Sequence, residues 1–343
     1  MATNNFGNNC GVYKTTYTAK GDSIVATASS VYTKLATSNN GQYLTCDSSK
    51  TEGIVWKPSP AQKVYYAGGS SVSDSDRKNS IDRMLNETVQ TLSATLSNSC
   101  HRLSGVSLST NSYFALGSIG TKTNIIDKLN SYEEVSTLSA TISVSRDAVA
   151  GATILTSAYF AGGEGASSVK VNTIDRLTSG ESCSAISATL SSSRRALAGS
   201  YLNQSAYFAG GENTTPINVN TIDRLSSSEV RTTLGAVLST TDRFLAGASF
   251  GNSAYFAGGI VASDINTINR LTTSETCGAI SATLSTSAQS TAGATCSDNL
   301  YFSGSIGSNW QNIDKLVRAE TISTISALLS VSKRYLTSTG VSG

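Results

Sequence analysis

Beyond about residue 61, short runs of aliphatic, aromatic and β-branched residues alternate with polar positions, and Gly, Ser, Thr and Asn clusters punctuate them. The unit around Tyr159 shows the pattern. Small aliphatic residues from Ala148 to Leu155 lead through Thr156-Ser157 into Ala158-Tyr159-Phe160-Ala161, and Gly162-Gly163 follows. A polar loop runs to Asn172, then come Thr173-Ile174-Asp175-Arg176-Leu177 and a Thr178-Ser179-Gly180 turn. Ser182 to Leu190 completes the unit before the serine triplet at Ser191 to Ser193. Alternating runs this short, bounded by turn residues, predict four antiparallel strands, and no stretch carries helical periodicity.

The unit recurs six times, starting at Tyr65, Tyr113, Tyr159, Tyr207, Tyr255 and Tyr301, at spacings of 48, 46, 48, 48 and 46 residues. Each copy reads approximately Y-F-A-G-G, a variable stretch, I-D-R-L, a Glu, then S-A-T-L-S. The interval from the Ile to the third motif is 12 residues in the first copy and 13 afterwards, and 20 residues always separate that motif from the next Tyr. Only the stretch from Tyr to Ile varies freely, between 12 and 16 residues. Insertions survive on exposed loops and not within a packed ladder, so each unit has one free loop. Four strands in such a period make one propeller blade. The expected fold class is therefore all-β, a six-bladed β-propeller over residues 61–343. The segment from Arg334 to Ser342 falls where the strand before Lys63 to Ala67 is missing, so it is expected to close the first blade.

Bulk properties narrow the partners. With 39% hydrophobic residues in 343, the chain can bury a large core. Only 14% of residues are charged and the net charge is +2, without the clustered Lys and Arg of a nucleic-acid or membrane-surface binder. No apolar run reaches the length of a membrane span, and the first residues lack the basic and apolar segments of a signal peptide. No nucleic-acid partner, membrane insertion or signal-directed secretion is expected. The six cysteines form no CxxC pair, and Cys183 and Cys277 share one repeat position two units apart, too distant in a ring to bridge. Free, mostly buried thiols are the expectation.

The recurrent charges invite a catalytic reading, but sites of chemistry are singular. The pairs Asp82-Arg83, Asp127-Lys128, Asp175-Arg176, Asp223-Arg224, Asn269-Arg270 and Asp314-Lys315, with Glu87, Glu133, Glu181, Glu229, Glu275 and Glu320, are sixfold. The basic residue and the Glu read as exposed cross-strand partners on an outer hairpin, and the Asp as a turn or backbone acceptor. The Gly-Gly pairs open no helix and read as backbone bends. His101 is the only histidine, which disfavours a multi-histidine metal site, and it falls where Arg195, Arg243 and Arg334 fall, at the rim. No catalytic residue, cofactor or metal is expected, and the chain reads as a non-enzyme. Paired carboxylates of a polysaccharide depolymerase remain an outside alternative.

The variable loops and the serine-rich links carrying Arg146, Arg194 and Arg195 share one face. Candidate ligand-binding residues there are Asp74, Asp76, Arg77, Lys78, Lys122, Glu164, Lys170, Glu212, Asn213, Asp264 and Trp310. A neutral polar face with one aromatic platform suits sugar or protein-surface recognition.

Two resemblances follow from these motifs. The Tyr before a Gly-Gly pair, followed by the Asp of I-D-R-L, resembles the Kelch repeat over residues 61–343; the Trp usual in that family's fourth strand is absent. Residues 1–60 do not repeat. Within them, Ala19-Lys20-Gly21-Asp22-Ser23-Ile24-Val25-Ala26-Thr27, then Asn40-Gly41-Gln42-Tyr43-Leu44-Thr45-Cys46-Asp47-Ser48, then Gly53-Ile54-Val55-Trp56 occur in order. Short strands around an Asn-Gly hairpin turn are the physical reading. Over residues 18–57 this order resembles a module of bacteriophage tail fibres and related virion proteins. The resemblance implies a virion structural protein assembled in the host cytoplasm, attached to other virion proteins by residues 1–60. It also implies a homo-oligomer, such as a trimer, whose propeller meets a host-surface glycan or envelope protein. A capsid-decorating or fibre-scaffold protein is the alternative.

Overall fold

A computed structural model of the chain describes residues 23–28, 31–35, 42–46, 54–58, 62–71, 73–296, 298–304 and 311–342. The chain divides into two units, residues 1–61 and 62–343. In the first unit Ser23–Ala28 pairs antiparallel with Val31–Leu35, and Gln42–Cys46 pairs with Ile54–Pro58. The expected turn at Asn40-Gly41 and the side chain of Trp56 lie outside the described residues.

The second unit is a six-bladed β-propeller of six four-stranded antiparallel sheets. Blade 3 typifies them, with Ala150–Ile154 innermost, then Ser157–Ala161, Thr173–Thr178 and Cys183–Thr189 outermost. Blade 2 begins with Ser104–Leu108, blade 4 with Ala198–Leu202, blade 5 with Ala246–Phe250 and blade 6 with Ala292–Cys296. Blade 1 takes its innermost strand, Thr337–Ser342, from the far end of the propeller sequence and pairs it with Gln62–Ala67. The six innermost strands contact one another in a closed ring. Closure by strand pairing removes the open end that a linear array would expose.

Why this sequence makes blades that stack is visible in the two-residue period. Consecutive strand residues point to opposite faces of the sheet. Tyr159 therefore faces blade 4, packing with Leu197, Phe208 and Leu225, while Phe160 faces blade 2, packing with Val106, Leu108 and Tyr113. The same Tyr-to-Phe layer lies between Tyr207 and Phe256, Tyr255 and Phe302, and Tyr65 and Phe114; Tyr301 meets Tyr66 instead. In I-D-R-L the rule sends Asp and Leu backward and Ile and Arg forward.

That alternation decides the fate of the recurrent charges. Every backward-facing Asp or Asn accepts a backbone N–H from the serine that follows the preceding blade's outer strand segment (Ser97, Ser143, Ser191, Ser239, Ser285 and Ser330), at 2.9–3.3 Å. The backbone-acceptor reading holds, but these side chains are buried, Asp82, Asp175 and Asp223 completely. The forward-facing base reaches a different hairpin from the one expected. Tyr159 Oη and Arg176 donate to Glu229 of blade 4 at 3.0 and 2.9 Å, and Tyr113 with Lys128 does so to Glu181 of blade 3. The ring completes where Tyr301 and Lys315 donate to Glu87 of blade 1. The base and the Glu thus join neighbouring blades rather than strands of one hairpin. All six Glu residues occupy hairpin turns with φ between +54° and +65°. Blade 1 turns on two residues alone, Asn86 and Glu87, which accounts for its single missing residue.

At the axis, Gly105, Gly151, Gly199, Gly247 and Gly293 each pair with the Phe of the second strand, and Ser338 takes the sixth place. A Cβ on Gly199 would overlap the carbonyl of Gly151 in the preceding blade, and one on Gly247 would overlap that of Gly199. Gly199→Ala is expected to destabilise the propeller by about 2 kcal/mol, because neighbouring backbone must move. Gly235→Ala, whose Cβ meets nothing within 4 Å, is expected to gain about 0.5 kcal/mol. Urea-unfolding midpoints of the two variants check the contrast; equal midpoints would sink it.

Candidate binding face

Each variable loop leaves the second strand through a bend, Gly162-Gly163 in blade 3, where both residues have positive φ. The residue after the bend then forms a β-bridge with the link that enters the same blade. Ser70 bridges to Arg334, Ser118 to His101, Glu164 to Asp147 and Ile260 to Arg243, while Glu212 pairs with Arg195 in a short two-residue ladder. One residue further along, every link adopts the left-handed conformation, at Arg102, Ala148, Ala196, Phe244, Ser290 and Tyr335, with φ between +54° and +62°. The N–H of each donates to the carbonyl of its predecessor around the axis, at 2.7–3.1 Å. A closed ring of six backbone hydrogen bonds therefore frames the mouth of the propeller on the loop face.

Beneath it lies a second ring, Leu103, Val149, Leu197, Leu245, Thr291 and Leu336, and the mouth encloses a cavity of about 80 Å³. Blade 6 is polar in both rings. The hydroxyls of Ser290 and Thr291 are buried there without a hydrogen-bond partner. Two aromatic rings flank that notch, Phe244 and Tyr335, meeting edge-on at 5.3 Å between centroids. The Arg102 guanidinium lies 4.6 Å over the Tyr335 ring and Arg334 5.4 Å from it.

Around the mouth, most of the expected ligand residues bind one another. Asp74 accepts from Arg102 at 2.9 Å and Arg334 at 3.0 Å. Lys122 donates to Glu164 at 2.6 Å, Arg195 to Glu164 at 2.6 Å, Lys170 pairs with Glu212 at 2.5 Å, and Arg243 also binds Glu212. Asp147 lies 3.8 Å from Arg102 and 3.7 Å from Lys122, linking these pairs into a chain across blades 1 to 5. Burial opposes ionisation of Glu212, yet Lys170, Arg195 and Arg243 together hold its carboxyl below the usual range. Burial dominates at Asp147 and raises it despite Lys122 and Arg102.

The remaining candidates sit apart. Asp76 pairs with Lys78 at 2.5 Å. The Arg77 backbone bridges Ser70. Asn213 accepts three hydrogen bonds from Thr215 and Ile217 of its own loop, and Asp264 accepts from Gln289 at 2.9 Å. Trp310 lies outside the described residues.

Two expectations need correction. His101 is not a rim residue but is buried, edge-on to Tyr335 at 5.8 Å, and burial with the nearby Arg102 pushes it down to about 4. Arg146 and Arg194 are not surface groups of the serine-rich links. They are fully buried and pair with Asp175 and Asp223 at 2.6 and 3.0 Å, while their neighbour Arg195 stays half-exposed. The aromatic platform in the described part of the face is formed by Phe244 and Tyr335. Sequence reasoning missed that pair, because their shared backbone position holds Arg, Ala, Phe, Ser or Tyr and so shows no motif. The available signal was its fixed place, one residue after the position shared by His101 and Arg243.

Among the described residues no group of three or more His, Cys, Asp or Glu side chains could hold a metal ion. The sequence matches no protein-family model and no curated protein sequence.

Proposed function

We propose that this chain is a bacteriophage virion structural protein, a tail fibre or surface spike, whose Kelch-like propeller presents its loop face to the host surface. The observation that carries the reading is the opposition of two faces. The chain enters the propeller at Gln62, at the end of the blade where the short hairpins lie, and all but one residue of the length variation falls at the other end. The point at which the chain joins the propeller is thus remote from the variable loops. The motif order in residues 18–57 supports attachment to a virion, where many copies would add weak contacts into avidity. The charge chain across blades 1 to 5 supports a rigid, preorganised face, which lowers the ordering cost of binding.

The test is binding of the full chain, displayed multivalently, to an array of bacterial surface polysaccharides and to whole cells. Saturable binding is expected, and it should vanish when residues 164–172 and 212–220 are replaced by the shorter loop 260–266. A folded, multivalent chain that binds no cell or polysaccharide would move the assignment to a decorating or scaffolding virion protein.

A further inference from the structure

Resting on that recognition reading, we propose that the axial mouth is a sugar-binding subsite that takes one uncharged pyranose ring of a surface glycan. Size decides first. A cavity of about 80 Å³ is far below the roughly 300 Å³ at which pockets begin to enclose a cofactor or drug-sized ligand. It can seat one ring, or part of one, with the remainder of the ligand in solvent. Shape and polarity decide next. Phe244 and Tyr335 line the mouth with half-buried aromatic rings whose apolar carbons can pack against the C–H side of a pyranose, and Tyr, like the sugar, is apolar on one side and polar on the other.

The two hydroxyls below are the strongest mark of an occupant. Ser290 is 5% exposed and its Oγ has no partner, and the Oγ of Thr291 has none either. A buried hydroxyl without a partner carries a desolvation cost, which a hydroxyl or hydroxymethyl group dropping into the notch would remove. The Thr291 hydroxyl stands at a position where no other blade is polar. The level of Ser290 is Ala in blades 3 and 4, and the level of Thr291 is Leu or Val in every other blade.

Charge decides last. The carboxylates bordering the mouth, Asp74, Asp147, Glu164 and Glu212, already face cations, and Arg102 and Arg243 are held by those carboxylates. A charged ligand would have to break such pairs, whereas a neutral polyol leaves them intact. The ring of backbone hydrogen bonds fixes Tyr335, Phe244 and Ser290 relative to each other, so little order is lost on binding.

The probes are the methyl glycosides of glucose, galactose, mannose, rhamnose, N-acetylglucosamine and N-acetylgalactosamine, with methyl glucuronoside as the charged comparison. Saturation-transfer NMR on the full chain should detect at least one neutral glycoside at about millimolar affinity, and the glucuronoside more weakly. Tyr335→Ala should weaken that binding about tenfold. Ser290→Ala and Thr291→Val, which remove only the hydroxyls, should each weaken it about fivefold. Tyr132→Ala, in an outer hairpin where the ring is 84% exposed, should change nothing. Binding by none of the glycosides, or binding indifferent to Tyr335, Ser290 and Thr291, overturns the axial site. If whole-cell binding then still depends on the exchanged loops, only the axial site has failed. If cells are not bound either, the recognition reading has failed with it.

Discussion

Arg194→Met is expected to destabilise the propeller by about 3–5 kcal/mol, because it leaves the buried Asp223 carboxyl without its cation in a site sealed from water. Both side chains of the pair are 0% exposed, and Arg194 Nη2 donates to Asp223 at 3.0 Å and to the Phe208 carbonyl at 3.0 Å. Burial lowers the Arg194 pKa even beside its partner, so the pair already works against desolvation. Two of the guanidinium nitrogens, Nε and Nη1, find no acceptor. Removing both charges should therefore cost much less than removing one. Arg194→Met with Asp223→Asn is expected to recover most of the loss, since an amide oxygen can still accept the Ser191 N–H. Blade 5 already does this, with Asn269 accepting the Ser239 N–H at 2.9 Å. The adjacent Arg195→Met should cost under about 1 kcal/mol, as Glu164 retains Lys122 and Glu212 retains Lys170 and Arg243. Urea unfolding followed by circular dichroism at pH 7 distinguishes the three. A single Arg194 variant as stable as the double variant would mean that Asp223 takes up a proton or water in the vacated space.

The architecture was legible because each propeller blade repeats the same local rules. Alternation fixed the strands, Gly162-Gly163 fixed the bend, and a constant 20-residue interval fixed the link between blades. Closure was legible from the spacing of the last copy, which left Thr337–Ser342 over as a strand. Partners across the gap between blades were not. Glu229 is in the next blade from Arg176, yet a Glu follows Arg176 at short range in its own hairpin, and nothing in one sequence says which of the two an arginine meets. The buried cations were hidden for a different reason. Arg146, Arg194 and Lys333 pair below the loop face in blades 3, 4 and 1, but the same position is Cys100 in blade 2 and Ala288 in blade 6. A motif held in half the copies looks like surface variation. The axial mouth was invisible because backbone geometry, not residue type, defines it.

Blade 5 reverses the sign at that position, and Asp242→Asn is expected to stabilise the protein above neutral pH and to do nothing of the kind in acid. Asp242 stands where blades 3 and 4 hold Arg146 and Arg194, and its neighbour is Asn269 rather than an aspartate. The side chain is 0% exposed, its Oδ1 has no hydrogen-bond partner, and the Thr240 hydroxyl stands 3.4 Å from its Oδ2. Burial pushes the carboxyl up from 3.8 to about 7, against the small opposing effect of Thr240. A carboxyl whose proton is held more tightly in the folded state costs nothing below about pH 4, where both states are protonated. The cost grows as the unfolded chain ionises, and it is complete once the pH passes about 7. The rise corresponds to about 4 kcal/mol. The variant should therefore gain on the wild type by about that amount between pH 4 and pH 8, whatever the constant offset between an amide and a neutral acid. His101, held down at about 4, titrates through part of the same range in the opposite sense. It is present in both proteins, so it adds the same rising contribution to each profile and cancels from their difference. Urea midpoints at pH 4, 5.5, 7 and 8 give that difference directly. Parallel profiles would show that Asp242 ionises without penalty, and hence that a cation or water reaches its unpartnered oxygen.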